Sequence, residues 1–165
     1  MSSASHHSAV FRAKAARITV KVDEPKWRRA DLALLRRAAR LALVGAERRG
    51  ELTVLLAGDG TLRALNEKFR GKPKPTNVLS FQARSSDDGY LGDIALAFGV
   101  AEQEAAAAHI GLTDHAAHLV VHGVLHLLGY DHQTARDAHV MEKLEVAILK
   151  QVGIGNPYVA VMAAE

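Results

Sequence analysis

The sequence predicts an α+β fold, in which a single layer of mixed β-sheet with about four strands is covered by about five helices. Short apolar segments with the two-residue period of a strand occur between longer segments whose apolar residues recur every three or four positions. No internal repeat or low-complexity tract divides the 165 residues. We therefore expect a flexible N-terminal tail over 1–16 and a single domain over 17–165.

The first half of the chain is predicted to hold two strands and two helices. Ile18, Val20 and Val22 alternate with polar residues, as in a half-buried strand. After Pro25, apolar residues recur at helical spacing opposite an arginine-rich face. The predicted order is strand 17–22, helix 30–48, strand 52–56, a turn at 58–60 and helix 61–69.

The second half begins with a loop, because Pro73 and Pro75 exclude a helix over 71–75. Two strands follow, joined by a turn with Asp87, Asp88 and Gly89. Beyond them we expect an alanine-rich helix, a histidine-rich helix capped by Thr113 with Asp114 in its first turn, and a last helix. The ranges are strands 78–82 and 91–97 and helices 100–109 and 136–151, the last with Val140, Leu144 and Ile148 on its apolar side and Gly153 as its stop.

Composition and charge limit the classes of protein to which this chain can belong. The 48% hydrophobic and 24% charged residues are ordinary for a globular protein, and no apolar run is long enough to span a membrane. The absence of cysteine and of a signal-peptide core favours the cytoplasm. Residues 1–50 hold 12 Lys and Arg against 4 Asp and Glu, which suits a nucleic acid partner or is the solvated face of a helix.

The segment HGVLHLLGYDH, residues 122–132, has the spacing of a metal site. His122 and His126 lie one helical turn apart on one face, and Gly129 allows the helix to end so that His132 returns to them. Three imidazoles with one open position are typical of a catalytic zinc, one ion per chain. Such an ion lowers the pKa of bound water to about 7, which indicates a hydrolase.

Other histidines compete for this role. His115 and His118 share the helical stripe of the pair, and His118 and His122 are themselves four residues apart. We favour His122 and His126 because only their register brings the residue after the glycine to the same place. The remaining histidines are interpreted as packed or hydrogen-bonded neighbours, and those of the tail carry no weight: His6, His7, His115, His118 and His139.

The same spacing occurs in metzincin metalloproteases, whose motif carries a glutamate as the general base. Here that position is Gly123, so a peptidase would lack the group that deprotonates water. Asp131 either orients a ligand imidazole or belongs only to the turn. Both interpretations of Asp131 remain open at this point.

Three segments carry a resemblance to a known family. They are LNEKFRGKPKPTNVLSF (65–81), LGDIALA (91–97) and HLVVHGVLHLLGYDH (118–132). With them, most of residues 17–158 resembles the YbeY family of bacterial metal-dependent endoribonucleases, which act in ribosomal RNA maturation. Asn77 and Gln82 depart from the family pattern, which has aspartate and proline there.

The resemblance implies a cytoplasmic endoribonuclease that prefers single-stranded RNA, with zinc held by His122, His126 and His132. It places the family's functional arginine at Arg70, which by itself could be an ordinary surface arginine at a helix end. A guanidinium there would stabilise the charge that develops on an attacked phosphodiester. Lys72 and Lys74, in the basic loop that follows, would contact the RNA backbone.

Two other functions stay open from the sequence. One is a metal-dependent peptidase or amidase with metzincin-like ligand spacing. The other is a non-catalytic RNA-binding ribosome assembly factor, in which the metal only stabilises the loop. Ribosomal RNA, ribosomal subunits and assembly factors are the partners that the resemblance implies.

Overall fold

The fold is described by a computed structural model over residues 16–84 and 89–159. The expected tail up to residue 15, with His6 and His7, lies outside the described residues, as do Asp87 and Asp88 of the expected turn. The described strands are β1 (Ala16–Val22), β2 (Gly50–Ala57), β3 (Val78–Gln82) and β4 (Tyr90–Ala97). The helices are α1 (Leu32–Gly45), α2 (Asp59–Arg70), α3 (Phe98–Ala107), α4 (Leu112–Leu127) and α5 (Ala135–Gln151), with a 3-10 helix at Pro25–Arg29.

The four strands form one mixed sheet in the order β1-β2-β4-β3. β1 and β4 both run parallel to β2, whereas β3 runs antiparallel to β4 at the end of the sheet. This arrangement confirms the predicted α+β class, although the sequence did not predict the strand order. No helix in the described ranges is long and apolar enough to cross a bilayer.

Helix α4 is the central element of the core. It packs against β3 and β4 and is contacted by α1, α3 and α5. Nine of its sixteen residues are buried, most of them alanine, valine and leucine. The remaining face of α4 carries histidines. The most buried helix of the described fold thus also presents the polar side chains of the candidate site.

Two local predictions are wrong. Thr113 does not cap α4: the capping residue is Gly111, and the Thr113 hydroxyl accepts the backbone N–H of Asp31 at 3.1 Å. Thr113 thus fastens α4 to the start of α1. Val140 is not on the buried face of α5 but is 50% exposed, because Met141 and Glu145 take the buried positions.

Several boundaries also move. α1 ends at Gly45 instead of residue 48, since Glu47 adopts a positive φ of 55° that no helix continues. α2 begins two residues earlier than predicted, at Asp59, so Gly60 lies inside the helix. The Asp59 carboxylate accepts the backbone N–H of Val100 at 3.1 Å and so joins the starts of α2 and α3.

Gly92 in β4 provides a test of this packing. Its φ is +145°, and a Cβ atom built there would lie 2.1 Å from the carbonyl oxygen of Phe81. We expect Gly92→Ala to lower the free energy of unfolding by about 3 kcal/mol, as measured by urea denaturation, because both the backbone and β3 must shift.

The matched control is Gly60→Ala in α2, where an added Cβ meets nothing within 4 Å. Alanine is the better helix former, so this variant should be as stable as the wild type or up to about 1 kcal/mol more stable. Equal stability of the two variants would contradict the close approach of β3 and β4 at Gly92.

Candidate metal centre

The site begins where α4 ends. Gly129 adopts a φ of +102°, and its N–H donates to the carbonyl of His126 at 3.1 Å. The N–H of Tyr130 donates to the carbonyl of Leu125 at 3.0 Å. This pair of hydrogen bonds is a Schellman motif, which requires a left-handed residue after the helix. The chain therefore reverses where the sequence predicts it, and residues 130–132 return towards α4.

The reversal brings the three predicted histidines together. The ring centroids are 6.3 Å apart for His122 and His126, 5.6 Å for His122 and His132, and 6.1 Å for His126 and His132. Asp131 joins them, because possible ligand atoms of His126, Asp131 and His132 all lie within 4.8 Å of one another. The described residues thus contain a group able to hold a metal ion, with His122 and Asp131 both next to the His126–His132 pair.

Hydrogen bonds determine which nitrogen of each helical histidine is available. The Nδ1 of His126 lies 3.1 Å from the carbonyl oxygen of Tyr130, and a carbonyl only accepts, so Nδ1 carries the proton. The Nδ1 of His122 lies 2.8 Å from a carboxylate oxygen of Glu145. The Nε2 of each ring therefore keeps a lone pair that can bind a metal. In metal sites the second ring nitrogen of a histidine ligand usually donates to a carboxylate or carbonyl in this way.

Glu145 on α5 anchors this arrangement. Its side chain is 1% exposed, and its second oxygen lies 2.9 Å from Nε2 of His118 and also accepts the hydroxyl proton of Tyr158. Burial acts to raise the pKa of Glu145, but the hydrogen bonds from His118, His122 and Tyr158 outweigh it and lower the pKa to about 2. The carboxylate is therefore ionised at neutral pH.

The pKa of Tyr158 is shifted in the opposite direction from that of Glu145. Burial and the adjacent Glu145 carboxylate raise the pKa of its phenol, so it remains a proton donor. His118, interpreted from the sequence as a packed or hydrogen-bonded neighbour, shares this carboxylate with His122 and also lies 3.2 Å from the Tyr158 hydroxyl.

The histidines line a cavity of about 310 Å³, and Arg70 at the C-terminal end of α2 lines the same cavity. Lys72 and Lys74 lie on the exposed loop after α2 and are not among its lining residues. Asp131 lines an adjoining hollow with Gln82, whose amide donates to the carbonyl of Leu127 at 3.0 Å. The departure from proline at Gln82 thus adds a hydrogen bond at the end of α4. The remaining lining residues of the main cavity are Asn77, Val78, Ser80, Glu104, His115, His118, Leu119 and Tyr158.

Polar residues of the site escaped the sequence analysis, among them Glu104 and Tyr158, which line the cavity, and Glu145, which is bonded to its histidines. Glu145 carries a recognisable signal, because a carboxylate occupies a position of α5 that Met141 and Ile148 mark as buried. Glu104 and Tyr158 follow no pattern that a single sequence distinguishes from surface residues.

Gly123, which replaces the metzincin glutamate, packs closely against the sheet. A Cβ atom there would lie 2.8 Å from a methyl carbon of Ile94 and 3.1 Å from one of Val78. Its carbonyl accepts the hydroxyl of Ser80 at 2.8 Å. A glutamate at this position would force the helix off the sheet, so the packing opposes a peptidase of that type.

Comparison with known proteins addresses the family directly. The family model described as Endoribonuclease YbeY matches residues 14–153. The chain belongs to this family. The YbeY endoribonuclease of Dinoroseobacter shibae is 43% identical over 166 residues, which cover 87% of this chain and 92% of that protein. That of Maricaulis maris is 49% identical over 109 residues, covering 66% and 68% respectively.

A solved structure agrees on the fold. The solution structure of TM1509 from Thermotoga maritima has a TM-score of 0.60 at 24% identity and covers 82% of this chain and 88% of its own. Together with the YbeY match, this confirms the resemblance found in the sequence, the α+β class and the expectation of a hydrolytic endoribonuclease. The ligand set, Arg70 and the RNA-binding lysines are not tested by these comparisons and stay predictions.

The low pKa of Glu145 predicts how metal-free protein responds to acid. An ionised Glu145 stabilises the fold above the pKa of an unfolded glutamate, and this contribution is lost as the pH falls through about 2. Glu145→Gln should therefore cost about 3 kcal/mol of unfolding free energy at pH 7 and only about 1 kcal/mol at pH 3. Urea denaturation of chelator-treated wild type and variant at both pH values measures the difference.

Glu142→Gln is the control, since Glu142 lies on the same helix with an exposed side chain. It should cost less than about 0.5 kcal/mol at either pH. A Glu145→Gln deficit that is independent of pH would contradict an ionised carboxylate at the centre of the histidine network.

Proposed function

We propose that the protein is a zinc-dependent endoribonuclease of the cytoplasm that cleaves single-stranded RNA, ribosomal RNA in particular, in ribosome maturation. The names of the family and of its relatives support the activity on RNA. The observation that carries the proposal is that Arg70 and the imidazoles of His122, His126 and His132 line one cavity. Ribosomal subunits or assembly factors are the partners that such a role implies.

His122, His126 and His132 would hold the zinc ion. Their fit rests on the donor set: neutral imidazoles are good zinc ligands, and the two on α4 keep Nε2 free because Nδ1 is engaged. When bound, zinc supplies a coordinated water with a pKa near 7 and polarises a phosphoryl oxygen. Asp131 positions His132 by accepting its backbone N–H at 2.7 Å.

Arg70 would stabilise the charge on the phosphate. A guanidinium stays protonated at every relevant pH and can donate two parallel hydrogen bonds to phosphate oxygens. Arg70 is the last residue of α2 and lines the cavity. Gly71 follows in a left-handed conformation, which ends the helix there and leads the chain into the basic loop. Arg70 is thus the cavity residue best suited to bind the phosphodiester under attack.

The substrate would enter as an unpaired strand. A cavity of about 310 Å³ is at the lower end of the range for small-molecule pockets, so it accommodates part of one strand and not a duplex. Lys72 and Lys74, on the exposed loop that follows Arg70, would contact phosphates of the same strand outside the cavity.

Zinc content separates ligands from neighbours. We expect about one zinc per wild-type chain, and a loss of at least about 100-fold in zinc affinity for His126→Ala, together with loss of cleavage of single-stranded RNA. Asp131→Asn should keep the stoichiometry with at most a 10- to 100-fold weaker affinity, because its role is to orient. Elemental analysis and zinc titration measure both effects.

The control is His139→Ala, an exposed histidine of α5 outside the cavity. It should bind zinc and cleave RNA as the wild type does. Unchanged cleavage by His126→Ala in preparations freed of contaminating nuclease would contradict the proposed function.

Arg70 should act on the reaction and not on the metal. We expect Arg70→Ala to retain zinc and to reduce kcat/KM on single-stranded RNA by about 10²- to 10³-fold, because a donor to the developing charge is lost. Arg63→Ala, on an exposed position of the same helix, should change neither quantity. If Arg70→Ala instead releases the zinc, the assignment of Arg70 to the phosphate is wrong.

A further inference from the structure

Asn77, Glu104 and His115 form a polar triad on the wall of the cavity. The Asn77 amide nitrogen lies 3.1 and 3.3 Å from the two carboxylate oxygens of Glu104, and Nε2 of His115 lies 2.9 Å from one of them. The backbone N–H of Val78 donates to the other end of the Asn77 amide at 2.7 Å. The carboxylate of Glu104 is therefore held from two sides, by the start of β3 and by α4.

The triad lies away from the three candidate zinc ligands. His115 precedes His122 by seven residues, which is about 10 Å along α4. A group at that distance does not reach the leaving oxygen of a phosphodiester bound at His122, so a general-acid role for His115 is disfavoured. The triad is instead placed to contact a neighbouring nucleotide of the same strand.

The chemistry of the triad selects a hydrogen-bond donor on the substrate. A carboxylate repels phosphate and accepts hydrogen bonds, so a donor on the substrate is required. The Glu104 side chain is 40% exposed and His115 only 13%, so the carboxylate is the part that a ligand can reach. A carboxylate has about four acceptor positions, and the contacts from Asn77 and His115 leave at least one of them open.

Ribose supplies such a donor. The 2′-hydroxyl is the group by which proteins distinguish RNA from DNA, and acidic side chains bind it in dinucleotide-binding folds. We propose that Glu104, oriented by Asn77 and His115, binds the ribose 2′-hydroxyl of a nucleotide adjacent to the scissile phosphate and so selects RNA over DNA. This inference rests on the proposed function and adds a specificity-determining residue to it.

Oligonucleotides with single deoxy substitutions test the subsite. A single-stranded RNA with one cleavage site is compared with a series in which one nucleotide at a time lacks its 2′-hydroxyl. For the zinc-loaded wild type, we expect the deoxy substitution at one nucleotide adjacent to the scissile phosphate to lower kcat/KM by about 10- to 100-fold. This is the loss expected when a hydrogen bond to a charged group is removed.

Glu104→Ala should lower kcat/KM on the all-RNA substrate by a similar factor and abolish the penalty for that one substitution, with zinc content unchanged. Glu104→Gln keeps an acceptor oxygen without the charge and should retain a smaller penalty. Glu102→Ala is the control: it lies on the same helix, pairs with Arg29 at 3.3 Å on the surface, and should keep both the rate and the penalty.

The possible failures are distinguishable. If the wild type leaves the all-RNA substrate intact, the proposed function falls and the subsite falls with it. If the wild type cleaves RNA but the deoxy penalty is the same in Glu104→Ala, the subsite alone is overturned. The subsite is also overturned if the only 2′-hydroxyl whose removal lowers kcat/KM is the one that becomes part of a cyclic phosphate in the product, and if Glu104→Ala leaves that loss unchanged.

Discussion

The reversal of the chain at Gly129 is the constraint on which the site depends. Tyr130, in the turn that follows α4, donates its N–H to the carbonyl of Leu125 and accepts the Nδ1 proton of His126 on its own carbonyl. Termination of the helix and orientation of an imidazole are thus one event. Because the turn needs a φ of +102° at Gly129, a side chain there would disturb both.

The histidine face of α4 is arranged by carboxylates from other elements. Glu104 of α3 contacts His115, and Glu145 of α5 contacts His118 and His122. Buried polar groups need such partners, and the most deeply buried of them, Glu145, is ionised because three donors surround it. One face of α4 therefore packs in the apolar core, while the polar network contacts the face that carries the histidines.

The sequence predicted what depends on local geometry. Residues four apart on a helix share a face, and a glycine can reverse the chain, so the gathering of His122, His126 and His132 was accessible from spacing alone. The network around them was not, since Glu145 reaches His122 across 23 residues of sequence. The burial of Glu145 also explains why Val140 was wrongly predicted to be buried. Because histidines form hydrogen bonds to the Glu145 carboxylate, a charged residue lies on the core side of α5, and the apolar residues alone do not mark that side. Arg70 joins the cavity only through the packing of α2, and only the family resemblance pointed to it.

The central claim is that three imidazoles hold the metal ion while Asp131 supports one of them. A crystal structure of the zinc-loaded protein, with the ion located by its anomalous scattering, tests this most directly. The account predicts one zinc about 2.1 Å from a ring nitrogen of each of His122, His126 and His132. An ion bound instead by His126, Asp131 and His132, with His122 bonded only to Glu145, would contradict it.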